Sequence, residues 1–80
     1  MPYYIQHMQD ILDELGIPDV KAYRIRLDDY VQQILGTRDL EPEQVWAILQ
    51  PKLKDASWRA QFVEQLRAKW EKRNWREEGI

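Results

Sequence analysis

One edge of the first helical segment carries the side chains best suited to chemistry. Its members follow one another at spacings of four, three and four residues, which places them on one side of an α-helix. They are Tyr3, His7, Asp10 and Glu14. An imidazole beside carboxylates is the usual beginning of an acid–base pair or a metal site. Because the chain has a single histidine, we interpret the edge as solvated surface. The alternative hypothesis, that the protein is an enzyme, requires a catalytic site that is completed at an oligomer interface.

Other catalytic signatures are missing from the sequence. There is no cysteine, which excludes disulfides and thiolate metal ligands. The only serine, Ser57, is explained by helix capping, and the three glycines are isolated, so no phosphate-binding loop is present. We therefore expect a non-enzymatic protein without metal or cofactor.

Hydrophobic residues that recur every three or four positions predict four helices. The first covers about residues 3–15 and the second about residues 18–35, ended by Gly16 and Gly36, because glycine readily adopts the left-handed conformation after a helix. Pro18 suits the first position of the second helix. The short connection predicts that these two helices pair as an antiparallel hairpin.

The third and fourth helices have distinct start signals. Glu41 followed by Pro42 and Gln44 predicts a capped helix start, with Asp39 as an alternative. Pro51 should kink or end this helix, and Asp55 or Ser57 should begin the next. The predicted fold is an all-α, single-domain four-helix bundle of residues 1–80, with a short third helix kinked near Pro51 and a frayed tail at 74–80.

The charges are distributed unevenly along the chain. Residues 1–51 carry nine acids and four bases, whereas residues 52–80 carry five acids and eight bases. A basic half suggests nucleic acid as a partner, and residues 41–76 predict a helix-turn-helix-like pair. The basic residues are scattered around the helix, however, and phosphate binding requires cations that face one way. A DNA-binding regulator is therefore the alternative hypothesis.

Protein binding accounts better for the residues that lie off the apolar stripes. Trp70 and Trp75, with Arg73 and Arg76 beside them, are of the types most enriched at binding hot spots. Ile25 points away from the apolar stripe of the second helix. We predict a small interaction module (an adaptor, assembly factor or regulator) that binds another protein or forms a homodimer. The competing interpretation is that Trp70 completes the core and Trp75 folds back onto the bundle.

A membrane location is not expected from the sequence. No stretch approaches the ~20 apolar residues that span a bilayer, and the N-terminal residues lack the basic and apolar regions of a signal peptide. The sequence predicts a cytoplasmic protein without membrane contact.

Overall fold

The structure, a computed structural model, describes residues 3–72, which are helical apart from short connections. An N-terminal 3-10 helix (Tyr3–Met8) leads into α1 (Gln9–Leu15), and α2 (Lys21–Leu35), α3 (Pro42–Leu53) and α4 (Ala56–Glu71) follow. No strand occurs in residues 3–72. The prediction of an all-α fold with four helices is confirmed, and the expected frayed tail at 74–80 lies outside the described residues.

The two glycine stops are confirmed. Gly16 and Gly36 have φ angles of 68° and 76°, the left-handed conformation that side chains disfavour. At each glycine, the backbone N–H of the next residue donates to a carbonyl in the last helical turn. Ile17 N–H donates to the Leu12 carbonyl, and Thr37 N–H donates to the Gln32 carbonyl, both at 2.9 Å. These bonds satisfy carbonyls that the helix ends would otherwise leave unpaired.

The first two helices begin differently from the prediction. The first turns of the first segment are 3-10 rather than α-helical, and Pro18 lies in the connection rather than at the first position of α2. Ile17 is only 3% exposed. The Val20 N–H donates to the Pro18 carbonyl at 3.2 Å, and Val20 is the extended N-cap residue, so α2 starts at Lys21.

The start signals of α3 and α4 are confirmed. Glu41 N–H donates to Gln44 Oε1 at 3.0 Å, and Pro42 occupies the first helical position. The Asp55 carboxylate caps α4 by accepting from the backbone N–H groups of Ser57 and Trp58. α3 continues through Pro51 and ends two residues later, at Leu53.

α2 packs mainly against α4 and the 3-10 helix, and α3 packs against the same two elements. The first predicted helix, residues 3–15, therefore contacts α2 mainly through its 3-10 part, and the antiparallel hairpin stays a prediction. The core receives side chains from every element, including Ile5, Met8, Leu12, Leu27, Val31, Val45, Leu49, Phe62 and Leu66.

Candidate functional site

The edge of His7, Asp10 and Glu14 is used for internal contacts. Arg59 of α4 reaches across to α1, where its Nη2 donates to Asp10 Oδ2 at 3.1 Å and to Glu14 Oε2 at 2.6 Å. The bond to Glu14, followed by that to Asp10, raises the pKa of Arg59. The His7 ring stacks on Trp46 with 5.3 Å between ring centroids. Within residues 3–72, no three metal-ligating side chains form a group that could hold an ion.

Trp70 lies in the core, where it joins α4 to α2. Its side chain is 8% exposed. The rings of Tyr23 and Tyr30 meet it edge-on, with centroids 5.1 Å and 6.4 Å away. Such contacts add to the free energy of burying a large aromatic group. The predicted surface role of Arg73, Trp75 and Arg76 falls outside the described residues.

Ile25 lies on the opposite side of α2 from these rings. It is 56% exposed, and Val20 at 45% is the other strongly exposed large hydrophobic residue in residues 4–72. Trp70 contacts the inward face of α2 through Tyr23, two residues before Ile25, and successive helical residues diverge by about 100°. The structure therefore does not bring Ile25 and Trp70 into one site.

Ile25 belongs to an open groove on the outer side of α2, which we call the α2 groove. It has a volume of about 1270 Å³ and lies between α2 and the connection to α3. Its lining includes Ala22, Ile25, Asp29, Gln33, Arg38 and Asp39. The apolar part is formed by Ala22 and Ile25, with Arg26 beside them, whereas the middle and the far end are polar.

A polar network anchors the wall of the α2 groove to the core. The hydroxyl of Tyr4, whose side chain is buried, donates to Asp28 Oδ1 at 2.5 Å. Gln32 Nε2 donates to the other carboxylate oxygen, Oδ2, at 3.2 Å. Burial, and then the hydrogen bond to Asp28, raises the pKa of Tyr4. Because Tyr4 belongs to the 3-10 helix, the network fixes α2 against that element.

Gln32 also holds the connection that forms the second wall. Its side chain is buried, at 6% exposure. Its Oε1 accepts from the Leu40 N–H at 3.0 Å and from the Thr37 hydroxyl at 3.3 Å. A buried amide with these partners stabilises one conformation, because each broken bond would leave a polar group unsatisfied. Gln32 therefore holds the connection against α2 at this side of the groove.

The basic residues of α4 do not gather on one face. Arg59 binds α1, whereas Arg67 Nε donates to Glu64 Oε2 at 3.2 Å, and Lys69 Nζ donates to Gln33 Oε1 of α2 at 2.9 Å. The N-terminus of α4, which a recognition helix would present to DNA, carries the Asp55 carboxylate. Arg59, Arg67 and Lys69 therefore do not form the common cationic face that phosphate binding requires.

Three comparisons at the level of the whole chain add no assignment. The chain matches no protein-family model, and no curated protein or solved structure is significantly similar to it. Within residues 3–72, no helix combines the length and the apolar character that crossing a bilayer requires.

Proposed function

We propose that this chain is a small, non-enzymatic protein–protein interaction module that binds its partner in the α2 groove. The observation that carries the proposal is an isoleucine that is 56% exposed and lines an open groove. Such a module would act as an adaptor, assembly factor or regulator.

The exposed part of Ile25 provides a measurable share of affinity. Burying a whole isoleucine side chain contributes about 1.5–3 kcal/mol. Since a little over half of the residue is exposed, covering it contributes about 0.8–1.7 kcal/mol. That corresponds to about a 4- to 17-fold change in the dissociation constant. The groove wall, fixed by Gln32, adds to affinity because little ordering is needed when a partner binds.

The electrostatics of α1 support a binding role rather than catalysis. A general base needs a carboxylate that is free to take a proton from a substrate. The carboxylates of Asp10 and Glu14 are instead engaged by the Arg59 guanidinium. The same ion pairs hold α1 against α4, so they also have a structural role.

Two variants with the same chemical change test the proposal. Ile25→Asp places a charge in the α2 groove, whereas Val20→Asp places one at an exposed hydrophobic residue that does not line it. We expect both variants to fold, as measured by circular dichroism. Captured proteins are measured by quantitative mass spectrometry after affinity purification. Relative to wild type, their amount should fall at least about fivefold with Ile25→Asp and stay the same with Val20→Asp. Equal capture by the two variants would contradict binding in the groove.

A further inference from the structure

We propose that the α2 groove recognises a partner helix that presents a basic side chain one helical turn from an aliphatic one. The aliphatic side chain would cover Ile25, and the arginine or lysine would meet Asp28 and Asp29. This inference rests on the function proposed above and specifies the chemistry of the partner.

The Asp28 carboxylate is the first reason to expect a cation. It is half-buried, and its two oxygens accept only from the neutral hydroxyl of Tyr4 and the neutral amide of Gln32. Among the residues that the structure describes, no cation is paired with it. A carboxylate that is partly removed from water is stabilised by an opposite charge. A carboxylate oxygen can accept more than one hydrogen bond, so acceptor capacity remains towards the groove.

Asp29, the next residue of α2, adds a second carboxylate to the groove. It is exposed, and the partner in the described part of the chain is the neutral amide of Gln33, at 3.0 Å. Four carboxylates in the described part of the chain, those of Asp10, Glu14, Asp19 and Glu64, are instead paired with arginine. Asp19, for example, accepts two hydrogen bonds from Arg24, which lower the pKa of the Asp19 carboxyl. The middle of the groove thus presents two carboxylates held by neutral donors.

The arginines that line the groove do not cancel this charge. Arg26 lines the groove beside Ile25. Arg38 is next to Asp39 in the connection, and the two opposite charges leave that end of the groove close to neutral. Because Asp28, Asp29 and Asp39 outnumber Arg26 and Arg38 among the lining residues, the net charge of the groove is negative.

The spacing along α2 defines the spacing in the partner. Asp28 and Asp29 follow Ile25 by three and four residues, a rise of about 4.5–6 Å. Helical residues three or four positions apart lie on one face at a similar separation. An amphipathic helix lying along α2 would therefore match the groove with an aliphatic residue and a basic residue at that interval.

Selection from a random peptide display library on the full chain tests this inference. Wild type should recover peptides in which arginine or lysine stands three or four positions from an aliphatic residue. Asp29→Lys should lower the affinity for these peptides at least about tenfold, since a like charge replaces an attractive one. Selection on that variant should recover acidic peptides. Asp13→Lys is the matched control, because Asp13 is also exposed and also accepts from a glutamine, Gln9, at 2.9 Å.

The outcomes separate this inference from the proposed function. Suppose that the selected peptides no longer bind Ile25→Asp but show no enrichment of arginine or lysine, or bind Asp29→Lys as tightly as wild type. Either result would overturn the inference and leave the binding groove in place. Recovery of no peptide, or of peptides indifferent to Ile25→Asp, would overturn both.

Discussion

The hydrogen bond between Tyr4 and Asp28 allows a prediction of defined size. Tyr4→Phe removes one oxygen and leaves the buried ring in place, so the core stays filled. A hydrogen bond to a charged group contributes about 1.5–3 kcal/mol. Since Asp28 borders an open groove, water can replace the hydroxyl. We therefore expect a loss at the low end, about 1.5–2 kcal/mol, which for a domain of this size lowers Tm by about 6–16 °C.

The same substitution should change the dependence of stability on pH. The pKa of Tyr4 is raised in the folded protein, whereas an unfolded tyrosine titrates near pH ~10. As the pH rises, the unfolded chain therefore releases this proton first. The stabilisation from Tyr4 is complete below pH ~10 and is lost above it at up to about 1.4 kcal/mol per pH unit. At pH ~11, the advantage of wild type over Tyr4→Phe should be smaller by about 1.4 kcal/mol.

Urea denaturation followed by circular dichroism, at pH ~8 and pH ~11, measures both effects through the free energy of unfolding. Tyr4→Phe in an Asp28→Asn background is the control, and there its cost should fall towards the ~0.5–1.5 kcal/mol of a neutral hydrogen bond. Equal stability of wild type and Tyr4→Phe at pH ~8, or an unchanged difference at pH ~11, would refute the network.

Three further substitutions test the packing and the helix ends by thermal or urea unfolding. Trp70→Ala should cost about 3–5 kcal/mol, most of the stability of a domain this small, because the side chain is buried against Tyr23; a folded variant with wild-type Tm would show that Trp70 is not core. Gly36→Ala should cost about 1–2 kcal/mol from its left-handed backbone alone, since an added Cβ meets no atom within 4 Å; a neutral effect would argue against that conformation. Asp55→Ala should cost about 0.5–2 kcal/mol, and no change in the urea midpoint would show that the cap is not formed.

The sequence predicts the helix ends well where the signals are local. Gly16 and Gly36 need only their own backbone preference to end a helix. The capping pair of Glu41 and Gln44 and the cap at Asp55 lie within three residues of the groups they satisfy. The prediction from Pro18 was wrong, because α2 begins at Lys21 with Val20 as its N-cap residue.

The groove was harder to predict from the sequence. Tyr4 and Asp28 are 24 residues apart, so their hydrogen bond depends on how the 3-10 helix packs on α2. A signal was available, since Asp28 and Gln32 each directly follow a buried residue of the α2 stripe and lie four residues apart. The exposure of Ile25 was predictable from its position on the helix, whereas the groove beside it depends on the conformation of the connection to α3.

Photo-crosslinking at single positions tests the central claim most directly. A benzophenone-bearing amino acid placed at residue 25 lies in the α2 groove, and the same group at residue 20 lies at the exposed position outside its lining. Irradiation of cells that express each variant should give a discrete adduct with another polypeptide at position 25 and none of the same mass at position 20. Absence of an adduct at position 25, or the same adduct at both positions, would contradict binding in the α2 groove.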